Sequence, residues 1–492
     1  MSVREVSPII IGGAQEGELK AVASGALANG KTVIVNSDGT VSVVAQESVT
    51  QTVGTPVVFE SATVSEVACA FDSSNNKIVI AYKDEGNSDQ GTAIVGTVSG
   101  TSISFGSPVV FESGDTRYIA ATFDSSNNRV VIAYRDGGNN NYGTAIVGTV
   151  SGTSISFGSS VTYTSDTSNY NSATFDSTNN KVVIAYSDGN NSYHGTAVVG
   201  TVSGTSISFG TASVFETSNQ TSYISTAFDS TSGKVVIAYR DEANSNYGTA
   251  VVATVSGTSI SFGTPVVFES ANARGFQSCV YDSVANKTVI AYRDIGNSDY
   301  GTAIVGTVSG TSISFGTASV FESASVERVT AVFDSNSGKV TIAFKDKGNS
   351  NYGTVIPATV SGTSISFGTA AVFESANTNE IGIAFDSSQK RVVIGYADGG
   401  NSSNGTAVVF RNSSTNTNLT SENYIGISSG GSVADTENAT VDIIGSINED
   451  QSSLTAGQQY FVQNDGTLNT TADDPSVLAG TAISATQLLV KT

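Results

Sequence analysis

The sequence predicts an all-β protein: a seven-bladed β-propeller joined to a small β-domain built from both chain termini. Three observations carry this prediction. A unit of about 52 residues repeats seven times, no segment shows the apolar stripe of a helix, and a strand missing from the end of the array stands at its beginning.

The phrase GTVSGTSISFG, or a near copy, recurs six times. Its closing glycine, or the counterpart after SVTQTV, falls at Gly54, Gly106, Gly158, Gly210, Gly263, Gly316 and Gly368. A second marker, the Asp of a Phe-Asp or Tyr-Asp pair, gives the same period at Asp72, Asp124, Asp176, Asp229, Asp282, Asp334 and Asp386. Each unit reads as four strands. The first is a small-residue stretch ending in Phe-Asp (YIAATFD), the second a continuous apolar run (VVIAY), the third GTAIVGTV and the fourth TSISFGTPVVF. Unbroken β-branched and aromatic runs indicate strands covered on both faces. Ser-Gly-Thr and Asp-Ser-Ser-Asn-Asn supply the turns between them. Four antiparallel strands at this period describe a propeller blade, whereas the rungs of a β-solenoid are shorter.

The ends of the array fit closure. The seventh unit stops after its third strand, GTAVVF at 405–410, while residues 48–59, SVTQTVGTPVVF, form a fourth-type strand with no unit before it. Together they complete one blade and remove two open sheet edges. The array therefore spans 48–410, and residues 1–47 and 411–492 lie outside it. These flanks match in part: 27–41, LANGKTVIVNSDGTV, parallels 454–468, LTAGQQYFVQNDGTL, and both run into a Ser/Asn-Asp-Gly hairpin turn. Further strands are expected at ATVDIIG and QLLVK, with RNSSTNTNLTSEN at 411–423 as a polar linker. The flanks read as one anchoring β-domain into which the propeller is inserted.

In a four-stranded meander, the connections from fourth to first strand and from second to third strand share one face. The other two turns share the opposite face, and these are nearly constant. The marker Asp is followed five residues on by Lys or Arg in every unit, as in Asp72 and Lys77, which reads as an exposed hairpin brace of about 0–1 kcal/mol. The fourth-to-first connection is where units differ, and surface segments that vary are where function concentrates. Six residues before each marker Asp stand Glu66, Tyr118, Tyr170, Tyr223, Phe276, Arg328 and Glu380. On the same face, the residue before the glycine opening the third strand is Gln90, Tyr142, His194, Tyr247, Tyr300, Tyr352 or Asn404. Aromatic rings among Asn, Asp and Ser suit stacking on sugar faces and bonding to hydroxyls. Both sets also have a purely structural reading, as rings covering a channel mouth and as turn residues packed on the next blade. Tyr118, Tyr170, Tyr223, Phe276 and Arg328, with Tyr142, His194, Tyr247, Tyr300 and Tyr352, form the candidate ligand-binding set.

Composition limits the chemistry. The chain has 492 residues, with 22 basic against 43 acidic side chains for a net charge of −21, no Trp, one Met and one His. Scattered cations in an acidic chain give no footprint for nucleic acid. No apolar run approaches the roughly 20 residues of a membrane-spanning helix. The start, MSVREVSPII, lacks the apolar core of a signal peptide. Nucleophile and metal chemistry would have to come from Cys69, Cys279 and His194. The two cysteines sit in non-adjacent units and read as small strand residues rather than a disulfide. The loops beginning at Asp84, Asp136, Asp188, Asp241, Asp294, Asp346 and Asp398 each hold one fixed acidic residue, short of a calcium-loop pattern. No catalytic residue, metal or cofactor is expected, and the chain reads as a non-enzymatic binding or structural protein.

The stretch GALANGKTVIVNSDGTVSVV, the repeats FESA, FDSS, VVIAYRD and GTAIVGTVSGTSISFG, and the end LTAGQQYFVQNDGTLNTTADDPSVLAGTAISATQLLVKT resemble tail-fibre and other virion structural proteins of tailed bacteriophages, marine ones especially. That resemblance covers nearly the whole chain. It implies a virion component on the tail or capsid surface, assembled in the bacterial cytoplasm, bound to other virion proteins through the terminal domain and presenting a face to a host-surface glycan or protein. It also implies a homo-oligomer, such as a trimer. A capsid decoration or head fibre without receptor binding is the alternative. The segment TSISFGTPVVF is also similar to the outer strand of sialidase blades, but this chain lacks the Asp and Trp of their Asp-box.

Overall fold

The computed structural model describes residues 17–217, 220–273 and 277–491 and is all-β, built from antiparallel sheets. Contacts divide the chain into two compact units, Thr50–Asn412, and Met1–Val49 with Ser413–Thr492.

Within Thr50–Asn412 each repeat is a four-stranded antiparallel sheet. The second repeat is representative: an inner strand ending at Asp124 pairs with Arg129–Asp136, which pairs with Tyr142–Ser151, which pairs with Ser154–Phe157. Val130 through Tyr134 are fully buried, because neighbouring sheets cover both faces of the second strand. The outer segment differs from the single strand expected. Ser154–Phe157 lies along one end of the third strand and Val161–Thr167 along the other, with a break at Gly158. A second difference lies in the connection to the next unit. In four places the outer segment runs without a loop into the following inner strand, as one strand over Val57–Asp72, Val109–Asp124, Val161–Asp176 and Ser319–Asp334.

One packing event joins each unit to the next. The Phe of the VVFES segment inserts between the Tyr of the following VVIAY strand and the Phe of the following SISF strand. Phe111 lies 5.3 Å from Tyr134 and 5.7 Å from Phe157, between ring centroids. Equivalent tilted or edge-on pairs recur down the array, each contributing about 0.5–1.5 kcal/mol beyond its buried area. The Glu after that Phe accepts a hydrogen bond from the buried Tyr hydroxyl, as in Tyr134 to Glu112 (3.1 Å) and Tyr292 to Glu269 (2.9 Å). The inserted ring packs against the glycine of the preceding unit's third strand. A Cβ at Gly248 would stand 2.5 Å from Phe268, so only glycine fits there.

The N-terminal segment treats the seventh and first units in the same way. Thr52–Val53 and Val57–Asp72 both pair with the seventh unit's third strand, Asn404–Arg411. Phe59 then lies over Gly405 and 5.2 Å from Tyr82 of the first unit. On the opposite edge Arg391 Nε of the seventh unit donates to Gly100 O of the first, as Arg129 Nε does to Gly204 O one unit on.

The Asp-to-Lys/Arg spacing is not an exposed ion-pair brace. The marker Asp is buried, and its Oδ1 accepts the N–H groups two and three residues on, as Asp72 does from Ser74 and Asn75. The basic residue is its register partner across the hairpin. It reaches elsewhere, to Gly204 O from Arg129 and to Thr254 Oγ1 from Lys234.

The terminal unit holds two five-stranded sheets of identical order. In the first, Glu18–Val22, Asn438–Asp442, Tyr424–Ser429, Thr32–Val35 and Val41–Val43 lie side by side. In the second the order is Ile447–Asn448, Leu488–Val490, Val477–Ala482, Gln459–Val462 and Leu468–Asn469. Each follows the chain as a lone strand, a hairpin and two further strands. The hairpin turns match bond for bond: Asn36 N–H to Thr40 O (2.9 Å) corresponds to Gln463 N–H to Thr467 O (2.8 Å). Asp38 and Asp465 each accept from the Thr two residues on, and those bonds hold both carboxyls below the usual range. The terminal unit is thus one small fold twice over, with the repeat array inserted between the third and fourth strands of its first copy. Ile34 and Val44 share a core with Leu454, Tyr460, Val462 and Leu488 of the second copy. Residues 411–423 are not a free linker. Ser414–Thr417 pairs with Gln46–Val49, and Leu419 is buried in that core.

Phe59 and Phe268 are equally buried in equivalent places. Phe59→Ala is expected to destabilise the array by about 3–5 kcal/mol, as much as Phe268→Ala. Thermal unfolding of the two variants side by side measures this, and a much milder Phe59→Ala would mean the seam packs differently.

Candidate functional site

Six of the residues six before a marker Asp sit at a β-bulge. The pairing of inner and second strands slips between Ser65 and Ala68, Arg117 and Ala120, Asn169 and Ser172, Ser222 and Ser225, Glu327 and Thr330, and Asn379 and Gly382. At each slip the bulged residue has a left-handed backbone: Glu66, Tyr118, Tyr170, Tyr223, Arg328 and Glu380 have φ between 51° and 55°. For residues with a Cβ this costs about 1–2 kcal/mol each. Bulges re-aim side chains, and these six are brought together. They line one cavity of about 300 Å³ walled by the inner strands of all seven units. Phe276 lies outside the described residues.

The cavity wall is chemically divided. On one side Tyr118, Tyr170 and Tyr223 follow one another with centroids 5.0 Å apart at both steps. On the other, Arg328 Nη2 is 2.6 Å from Glu380 Oε1, and Glu380 Oε2 accepts the Glu66 N–H at 3.3 Å. Glu66 Oε2 in turn accepts the Tyr118 N–H at 3.0 Å. Burial, reinforced by Glu380, pushes the Glu66 carboxyl up to about 7. Burial also pushes the Tyr170 hydroxyl up to about 12. The position after the bulged residue is Val or Ile except for Asn171 and Gln277. Both are buried and line the cavity. Asn171 Nδ2 and Gln277 Oε1 lack hydrogen-bond partners, although Asn171 Oδ1 accepts from Ser168 and Gln277 Nε2 donates to Tyr223 O.

The second candidate set lies elsewhere. Tyr142, His194, Tyr247, Tyr300 and Tyr352 are half-buried first residues of third strands, and none lines the cavity. Each is the register partner of the loop Asp: Asp136, Asp188, Asp241, Asp294 and Asp346. Three of those Asp side chains cap their own turns: Asp241 accepts the Asn244 N–H, Asp294 the Asn297 N–H and Asp346 the Asn349 N–H, all at 3.1 Å. The described residues hold no cluster of three or more potential metal ligands. Cys69 and Cys279 are free thiols, and burial pushes Cys69 up to about 12.

Sequence reasoning missed the residue before each loop Asp. It is Lys83, Arg135, Ser187, Arg240, Arg293, Lys345 or Ala397, a variation embedded in an otherwise constant second strand. Arg135 lies over the Tyr118 ring, 4.9 Å from its centroid, and Arg240 over Tyr223 at 5.8 Å. The corresponding neighbour of Tyr170 is Ser187, whose hydroxyl donates to Tyr193 O. The other cations meet carboxylates: Lys83 meets Asp115 (2.8 Å) and Asp89 (3.1 Å), and Arg293 meets Asp299 (3.0 Å).

Neither family models nor curated proteins give a match to this sequence. Among solved structures the chain is similar to the BP39L lectin from Burkholderia pseudomallei, with a TM-score of 0.52 and 9% identity over 78% of this chain and 99% of that one. A protein of unknown function from Dyadobacter fermentans gives a TM-score of 0.43 at 10% identity, covering 75% of this chain and 99% of that one. The SapL1 lectin, solved with alpha methyl fucoside, gives 0.39 at 12%, covering 64% and 97%. The first likeness shows a shared all-β fold.

A carboxyl whose pKa is higher folded than unfolded holds a proton that the unfolded chain has released. Stability from Glu66 is therefore present at low pH and falls as pH rises from about 4.5 towards 7. Glu66→Gln is expected to lose less stability between pH 5 and pH 8 than the wild type. Thermal unfolding at the two pH values measures the difference.

Proposed function

We propose that Thr50–Asn412 is a seven-bladed β-propeller closed by its N-terminal strand, and that the chain is a non-enzymatic virion adhesin whose variable propeller face recognises a host-surface glycan. Seven equivalent four-stranded sheets and the repetition of the inter-sheet packing at Phe59 support the architecture. The observation that carries the function is the divided cavity. An arc of three tyrosines faces an arc of Arg328, Glu380 and Glu66, at a bulge position where the repeats differ. Stacking surface opposite hydrogen-bonding groups suits sugars, and the lectin fold of the BP39L structure fits the same reading. The terminal unit anchors the chain to other virion proteins in a homo-oligomer. The virion setting rests on the resemblance of the repeats and chain ends to tailed-phage fibre proteins.

The test is direct. Purified protein applied to an array of bacterial surface glycans is expected to bind a subset, and Tyr118→Ala, Tyr170→Ala and Tyr223→Ala combined to lose that signal. Absence of any glycan signal from the wild type would favour the capsid decoration reading. Labelled-particle imaging then places the protein at the tail tip for an adhesin or on the capsid for a decoration.

A further inference from the structure

We propose that the axial cavity is a single binding site for one neutral pyranose ring, the terminal sugar of a glycan, with Tyr170 as its platform. The inference rests on the glycan reading and adds the location, the number of sites and the ligand class.

Size comes first. About 300 Å³ is roughly ten water volumes and lies at the low end of small-ligand pockets. That is room for one sugar ring and not for an oligosaccharide, whose remainder would lie outside.

Platform comes second. Guanidinium groups already stack on Tyr118 and Tyr223, 4.9 and 5.8 Å from the ring centroids. The unit that carries Tyr170 has Ser187 where those units have Arg135 and Arg240. Tyr170 is flanked by the other two rings and is the member of the arc with no cation stacked on it among the described residues.

Polar chemistry comes third. Asn171, next to Tyr170, and Gln277 interrupt a position that is otherwise Val or Ile, and both are more than nine-tenths buried with one unpartnered amide atom. A buried polar group left unmatched is costly, so two at one cavity wall call for a partner. One offers a donor and the other an acceptor, the combination that hydroxyl groups satisfy. Opposite them, Arg328 is already engaged by Glu380. Among the described residues, that side of the wall therefore presents the Glu66 and Glu380 carboxyls and one cation already paired, a setting that favours a neutral ring over a sugar acid.

The experiment is calorimetric titration of the full chain with neutral methyl pyranosides (gluco, galacto, manno and N-acetylglucosamine forms) and with methyl glucuronide. Expected is saturable binding of at least one neutral member at one site per chain. Affinity should fall about tenfold or more in Tyr170→Ala. It should be retained in Tyr170→Phe and in the combined Tyr142→Ala and Tyr300→Ala variant. Wild-type affinity in Tyr170→Ala, a stoichiometry approaching one site per unit, or a preference for the glucuronide would each overturn the proposal. So would wild-type protein that binds none of the neutral rings. Loss of binding only in the Tyr142/Tyr300 variant would place the site in the loops, overturning the axial site while leaving glycan recognition standing. If Tyr170→Ala does not fold, the ring resonance of Tyr170, assigned through Tyr170→Phe, must shift on titration of the wild type; an unmoved resonance at saturation overturns the proposal.

Discussion

Each sheet of the array is finished only when the next sheet's tyrosine meets its aromatic ring. The VVFES ring lies on the glycine of its own sheet and against the tyrosine of the following one, and the glutamate beside it takes that tyrosine's proton donor. A four-stranded unit alone would leave the ring and the hydroxyl without partners. Neighbours are therefore obligatory, as in other repeat architectures. The same event fixes several identities at once: glycine opening the third strand, an aromatic at the end of the second and a carboxylate after the outer segment. The exceptions stay within the logic. Phe344 replaces the tyrosine in the sixth unit, and Thr164 replaces the glutamate in the second.

This constraint explains where variation is allowed. The outer, third and second strands are bound by ring-on-glycine contacts and by backbone carbonyls facing glycines such as Gly106 and Gly158. The inner strand is crowded and takes small residues, as at Ala120, Ser172 and Ser225. At the bulge the backbone turns left-handed and the side chain leaves the sheet, so its size and charge do not disturb the packing between sheets. Repeats that are copies elsewhere can carry Glu, Tyr or Arg there. The strain of the bulge belongs to the repeat, since six described units share it. The identity of its side chain is the part free to serve a ligand.

The period, the strand count and the spare strand at 48–59 were legible because repetition turns each into a comparison within one chain. The variable ring, Glu66 to Glu380, was legible for the same reason. Its backbone was not: left-handed residues are normally signalled by Gly or Asn, and here they are Tyr, Arg and Glu. The loop aromatics Tyr142 to Tyr352 looked equivalent to the ring, yet they begin strands beside capped turns and stay out of the cavity. Arg135 and Arg240 were hidden inside a strand that seemed constant. The Asp-to-Lys spacing suggested an ion pair because register partners and ion partners share the same spacing. The twin sheets of the terminal unit were half visible. Only their hairpins match in sequence, while the strands that complete them share order without a common phrase.

The spare strand also accounts for the insertion. An array inserted into another fold must return its ends to adjacent points, and long connections are tolerated when little loop closure is needed. Here Thr52 pairs with Arg411 inside the array, and three residues outward Val49 pairs with Ser414 in the terminal unit. Both chain ends of the array are thus held side by side by the pairing that completes its last sheet. Had the seventh unit supplied its own outer strand, its chain would have ended at that sheet's outer edge, away from the start of the first inner strand. Pairing the N-terminal segment with the seventh unit's third strand seats the Phe59 ring on Gly405 and leaves Val49 and Ser414 paired side by side.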